Sequence, residues 1–286
     1  MNEIPTVSGA DQLTYLYLNG YVKADFPSKG LRKEFERCLL SLDEKGNKQQ
    51  FLPVTSAQAP ETSNDHIEKQ LYELVSKPSY RYIARQMTWK FTNRYGHEIY
   101  CLTPTESQLS ALILAIKPRK NKLSRPMVLV GYSQASLASR LPNVDVKRLT
   151  KVSPCSIIKS IKGTMPNIDV DKLKLIVSEI LSLSTNRGDN DQDRALNYIL
   201  YQNLAIYSRT YGILYDEEGG CQSAPNARLA NIQVLPMMSG DRHVVKVVFE
   251  YQNTHGGGSQ SWYSAVDVTD EYPFLLGSFE RFLPRY

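Results

Sequence analysis

Three strand-like runs close together near the end of the chain constrain its fold most: 228-RLANIQVLPM-237, 243-HVVKVVFEYQN-253 and 261-SWYSAVDVTDEYP-273. Each is rich in β-branched and aromatic residues, and short polar stretches separate them. Connections that short join antiparallel neighbours, because a parallel step needs a long crossover. The end of the chain therefore reads as an antiparallel β-meander. Before it lie two helical patterns. Asp169 or Asp171 caps 171-DKLKLIVSEILSLS-184, and 191-DQDRALNYILYQNLAIYSRTYG-212 carries Ala195, Tyr198, Ile199, Gln202, Ala205 and Ile206 along one side. Residues 216–226 read as a loop.

The first half mixes the same two periods. Residues 13–22 alternate as a strand, and 29–42 place Leu31, Phe35, Cys38, Leu39 and Leu42 at helical spacing. A polar loop over 43–65 leads to Asp65, which caps a helix over 66–77 that Pro78 ends. Residues 80–104 read as a hairpin around Asn93-Arg94-Tyr95-Gly96, with a helical first half as the alternative. A helix from Thr105-Glu106 to Ile116 and a strand over 126–132 follow. Residues 133–168 read as irregular, since Pro142, Pro154, Gly163 and Pro166 break any long element. The class is α+β, with antiparallel sheets, packed helices and a C-terminal meander. The expected division is an α+β subdomain over 1–168 and a helical pair plus meander over 169–286, or one compact domain.

No window approaches a membrane span, and MNEIPTVSGADQ has neither the basic start nor the apolar core of a secretory signal. Cys38, Cys101, Cys155 and Cys221 are scattered without a CxxC pair, which suits a reduced cytoplasm. The net charge of +5 is mild. The one basic cluster, 117-KPRKNKLSRP-126, has no interleaved aromatics and reads as a solvated linker, so no nucleic-acid partner is expected.

Two motifs invite chemistry. In 128-VLVGYSQAS-136 an apolar run meets Gly-Tyr-Ser-Gln-Ala, close to the G-x-S-x-G turn that presents a nucleophilic serine. With His243 or His255 as base, Ser133 would make a serine hydrolase. Three features oppose this: the late meander, the helix-breaking Ser136, Ser139 and Pro142, and histidines on a strand start and a hairpin turn. The alternative is a strand end whose serine bonds its own turn. Cys221, His243 and His255 are the one local zinc-like grouping, and they show no close ligand pair or fourth ligand. Asp267, Asp270 and Glu271 read as turn chemistry, and Gly256-Gly257-Gly258 is no phosphate loop. The eighteen tyrosines suit a peptide-binding surface as well as core packing.

Four blocks carry a family resemblance: 15-YLYLNGYVKADFPSKGLRKEFERC-38, 80-YRYIARQMTWKFT-92, 194-RALNYILYQNLAIY-207, and 247-VVFEYQN-253 with 266-VDVTDEYPFLLGSFERFLPRY-286. In this order they resemble the C-terminal domain of the cyanobactin maturation protease PatG, a domain of unknown function. Its pattern has an "RYLARQ-CW" hairpin, an "RALNYLA-YPAIY" helix and a "VDVTEEFPFLV" ending. The resemblance spans nearly the whole chain and leaves out the subtilisin-like protease portion, which implies a free-standing version. Stand-alone relatives occur in other clusters that make ribosomally synthesised, post-translationally modified peptides, including that for crocagin. It implies a non-catalytic, dimeric accessory protein that binds the precursor peptide, leader or core, for its modifying enzymes. The family's "VVIGxRGP"-like segment falls where 128-VLVGYSQA-135 stands, which implies a structural role for Ser133. Zinc has been associated with the family, but no ligand set maps here, so no cofactor is carried over.

An extended peptide can add to an exposed sheet edge, with aromatic pockets for specificity. The residues expected to meet it lie in the family-like blocks and are polar or aromatic where packing alone would favour aliphatics: Arg85, Trp89, Arg194, Asn197, Tyr198, Tyr251 and Trp262. The competing reading of each is structural, with Arg194 pairing an acid and Asn197 satisfying buried backbone. A structural partner that docks a modifying enzyme without touching peptide is a further alternative.

Overall fold

The computed structural model describes residues 13–43, 62–118, 126–134, 140–215, 227–253 and 258–283. In chain order the elements are β1 (Thr14–Asp25), α1 (Lys29–Asp43), α2 (Thr62–Val75), a 3-10 turn (Pro78–Tyr80), α3 (Arg81–Gln86), β2 (Thr88–Thr92), β3 (Glu98–Thr103) and α4 (Glu106–Ala115). Then come β4 (Met127–Gln134), β5 (Asn143–Lys151), α5 (Pro154–Thr164), α6 (Val170–Ser182), α7 (Asp191–Gln202) and α8 (Ala205–Tyr215). The chain ends in β6 (Ala227–Ser239), β7 (Arg242–Asn253), β8 (Ser259–Asp267), β9 (Phe274–Leu275) and β10 (Glu280–Phe282). The fold is α+β. Among the described residues, no helix is long and apolar enough to cross a membrane.

The elements form two compact units. One comprises Gly20–Met127 and Ala135–Lys151. Here the second half of β1 pairs antiparallel with β2, from Tyr21↔Thr92 to Asp25↔Thr88, and β2 pairs antiparallel with β3. β3 pairs parallel with β5, Cys101↔Asn143 to Thr103↔Asp145. Gly20 permits the close approach of β1 to β2, since a Cβ there would lie 2.2 Å from the Thr92 carbonyl oxygen. Thr105 and Gln108 form a capping box on α4. Lys23 and Lys90 share Glu98 at 3.0 and 2.8 Å.

The other unit comprises Met1–Asn19, Val128–Gln134 and Val152–Tyr286. This division cuts the chain differently from the boundary at 168/169 read from the sequence. Its sheet has the order β10-β8-β7-β6, with β9 also on β8. β6, β7 and β8 form the expected meander. Ser239↔Arg242 closes a two-residue turn in which Gly240 takes φ 63. One sheet face, with Val245, Val247, Phe249 and Tyr251, packs with Ile176, Ile180, Ala195, Ile199, Ile206 and Tyr207 from α6, α7 and α8 into one core. Each Val, Ile or Phe side chain among them contributes about 1.5–3 kcal/mol by leaving water.

The expected hairpin over 80–104 is present as β2–β3, and its first half is the helix α3 given as the alternative. Three local expectations are corrected. The helix expected from Asp65 begins at Thr62, and it ends at Val75, while Pro78 opens the 3-10 turn as an N-terminal residue. Residues 133–168 are not irregular throughout. β5 alternates, burying Val144 and Val146, and Pro154 stands in the first turn of α5, where its missing N–H costs nothing. Finally, 191–212 is two helices. Asn203 leaves helical geometry at φ −103, ψ 91; its Oδ1 accepts from Ala205 N–H at 3.1 Å and its Nδ2 donates to Ser264 Oγ at 2.8 Å. Side-chain bonds of this kind compete with the helix ladder. The expectations for the 43–65 loop over 44–61, for the basic cluster over 119–125 and for 216–226 lie outside the described residues.

Candidate peptide-binding edge

The α7 residues Arg194, Asn197 and Tyr198 come from a helix capped by Asn190, whose side chain accepts from Asp193 N–H at 2.8 Å. Arg194 is 2% exposed. Its guanidinium donates to the carbonyls of Val268 at 2.8 Å, Glu271 at 3.2 Å and Asp270, and it lies 5.2 Å from the centre of the Tyr15 ring. Burial lowers its pKa below the usual guanidinium value, and the neighbouring Asp191 opposes that. Asn197, fully buried, donates to the Tyr17 carbonyl at 2.9 Å and to Asn186 Oδ1 at 2.7 Å, and its own carbonyl accepts from Asn19 at 3.2 Å. Tyr198 is half-buried, edge-on to Tyr17 at 5.5 Å, and burial pushes its phenol up.

Tyr251 is 1% exposed, and its hydroxyl meets Thr210 Oγ1 at 2.6 Å. Burial raises this phenol well above its ordinary pKa. Trp262 packs on Phe279 beneath the Arg209 guanidinium, 4.4 Å from its ring centre. In the other unit Trp89 is buried and donates to the Ala84 carbonyl at 2.9 Å, while the exposed Arg85 holds Glu106 at 2.7 Å. Thus Arg194, Asn197, Tyr198, Tyr251 and Trp262 belong to one unit, and Arg85 and Trp89 to the other. The buried members are polar or aromatic because they satisfy carbonyls or fill core. Most of their polar atoms are bonded inside the chain, with the buried Arg194 Nε left unpartnered among the described residues.

Ser133 lies within β4, which continues through Gln134 in strand conformation, so the sharp strand-to-helix turn read from the pentapeptide is not formed there. The neighbouring Tyr132 hydroxyl donates to Glu271 at 2.9 Å, and that bond with burial pushes its pKa up to about 12. His243 Nδ1 lies 2.8 Å from Asp191 Oδ2. His255 and Cys221 lie outside the described residues. Among the described residues, no three His, Cys, Asp or Glu side chains are grouped to hold a metal ion.

An open site lies at β6. It ends the sheet order, and among the described residues only β7 pairs with it. The flanking residues of a two-residue hairpin turn form a hydrogen-bonded pair, here Ser239↔Arg242. The alternation of the antiparallel ladder then turns the backbone groups of Ile232, Val234, Pro236 and Met238 away from β7. Pro236, which has no N–H, falls in the outward set, where an edge strand tolerates it. A register shift between Leu229 and Asn231 disturbs the base of the strand, and Ile232 N–H donates to Asn231 Oδ1 at 2.9 Å. Beyond this point Leu235, Met237 and Met238 are exposed.

Comparison with known proteins now places this geometry in a family. The family model described as PatG Domain matches residues 15–195, and that described as PatG C-terminal matches residues 170–282. The chain belongs to the PatG domain family. A solved structure described as "PatG Domain of Unknown Function" superposes with a TM-score of 0.64 at 14% identity, covering 94% of this chain and 98% of that chain. At that identity the likeness shows the fold. No curated protein matches the chain.

In this PatG domain, three of the blocks that carry the resemblance meet through Arg194: the first block through Tyr15, the α7 block, and the stretch after β8 whose carbonyls it holds. The most exposed apolar side chains of the sheet lie instead on β6, which belongs to none of those blocks. Reading by polarity missed β6. The available signal was the near absence of charge in 228-RLANIQVLPM-237 at one end of a meander.

Proposed function

We infer that this PatG domain is a non-catalytic accessory protein that binds the precursor peptide of a ribosomally synthesised, modified peptide product and holds it for its modifying enzymes. The supporting observation is the outer edge of β6, which pairs with no strand but β7 among the described residues and whose outward backbone groups can hydrogen-bond an added strand. Main-chain pairing gives affinity without requiring one side-chain sequence, which suits a carrier whose cargo changes chemically while bound. Calorimetric titration with full-length precursor, then leader and core separately, tests this reading. Saturable binding of the precursor and of one half is expected. Flat traces for all three near 100 μM, where affinity is only about −5.5 kcal/mol, would remove it.

A further inference from the structure

Natural sheets protect their edges with charged side chains, bulges, prolines or short strands, because a bare edge invites further pairing. β6 has such protection mainly at its base, where Arg228 and the register shift near Leu229 sit. From Leu229 to Gly240 the chain carries no charged residue. Pro236 withholds a single donor and leaves its carbonyl available. The nearest charges on β7 are occupied. The Glu250 carboxylate accepts from Asn231 at 3.1 Å and from Gln233 at 2.6 Å, and the Lys246 ammonium sits 5.3 Å from the Tyr263 ring centre. A strand laid along Ile232–Met238 would place one set of side chains beside Gln233, Leu235 and Met237. The other set would lie beside Val234, Pro236 and Met238. The side chains of β6 itself are uncharged in both sets and apolar toward the hairpin tip, while Glu250 and Lys246 stand one strand further in, opposite Asn231 and Leu235.

We propose that the segment of precursor held by this protein is an uncharged, aliphatic stretch in extended conformation, added as a strand to β6 between Ile232 and Met238. The assignment rests on the peptide-binding reading above and names the chemistry and place of the contact. A charged segment would find no opposite charge among the exposed Leu235, Met237 and Met238 side chains, so an aliphatic stretch makes the better cross-strand pairs at this position.

The test uses the full chain and overlapping synthetic fragments of the precursor, followed by fluorescence anisotropy. The fragment that binds is then remade with single N-methylated amides, and with alternate residues changed to Lys. The protein is remade as Leu235→Lys with Met237→Lys, and as Lys159→Glu on α5 for comparison. Expected results are binding of an uncharged fragment, loss of affinity with N-methylation at every second residue, and about tenfold or greater weakening by the paired β6 substitutions. Circular dichroism of that variant should match the parent, with at most a small drop in melting because the lysine at 235 faces Lys246, and Lys159→Glu should bind as the parent does.

An N-methyl scan without period two, or full affinity for the β6 variant, would overturn the assignment to β6 while leaving peptide binding intact. Preferred binding of a charged fragment would overturn the chemical class. A dimer that the same β6 substitutions disperse would show a second copy as the occupant and overturn the choice of peptide. No binding of any fragment would overturn this assignment together with the reading on which it rests.

Discussion

Asn197 on α7 donates its side-chain amide to the carbonyl of Tyr17 on β1 at 2.9 Å, across 180 residues of sequence. The same amide nitrogen reaches Asn186 Oδ1, so one buried side chain fastens a strand and a loop to the helix. Replacing it by Leu takes this donor from the Tyr17 carbonyl and the Asn197 Oδ1 acceptor from the Asn186 amide, while Asn186 Oδ1 keeps the Gly188 N–H. Each orphaned group costs about 1–3 kcal/mol. Asn197→Leu is therefore expected to lose about 2–4 kcal/mol in urea denaturation. A loss under 0.5 kcal/mol would show that water or another donor replaces the amide.

Gly188 supports the same junction. Its φ is 64, its carbonyl accepts from Tyr17 N–H at 3.1 Å, and a Cβ would sit 2.5 Å from the Tyr17 carbonyl oxygen. The left-handed backbone alone costs an alanine about 1–2 kcal/mol, and the clash with backbone adds to it. Gly188→Ala should lower the thermal midpoint more than Gly163→Ala, where a Cβ meets nothing within 4 Å. Equal midpoints would contradict this.

Asp267 is 1% exposed and sits between Thr269 N–H at 2.9 Å and Arg242 Nε at 2.7 Å. Burial pushes its carboxyl up, but the Thr269 hydrogen bonds with the Arg242 and His243 charges outweigh that and hold its pKa below the usual range. A depressed carboxyl contributes stability that is complete above its unfolded pKa near 4. That contribution is lost as pH falls through the folded value. Urea midpoints should fall on acidification below about pH 4. In Asp267→Asn they should start lower at pH 6 and fall less steeply. Parallel pH profiles for the two proteins would refute the assignment.

The strand geometry at Ser133 predicts no serine nucleophile. A fluorophosphonate probe is expected to leave the folded protein unlabelled. Covalent labelling that disappears in Ser133→Ala would restore the hydrolase reading.

Periodicity revealed most elements because a buried face imposes it locally: the alternation in β7 and the Asp169 cap of α6 are both visible in sequence. The break at Asn203 was not, because no Pro or Gly marks it and its cause, Ser264, lies 61 residues away. β5 and α5 are masked in the sequence by Pro142 and Pro154, which read as breakers although one precedes a strand and the other starts a helix. The site was hardest to read. Arg194 and Asn197 looked like ligand residues because they are polar amid apolar neighbours, and the carbonyls they satisfy are distant in sequence. That β6 is an edge depends on strand order, a long-range property that no local pattern encodes.

Hydrogen–deuterium exchange at β6, with and without precursor peptide, reads an added strand amide by amide. Binding should slow exchange at the outward amides of Val234 and Met238, with little change at the amides already bonded to β7. Saturating peptide that leaves 232–238 unchanged and protects another surface would contradict strand addition to β6.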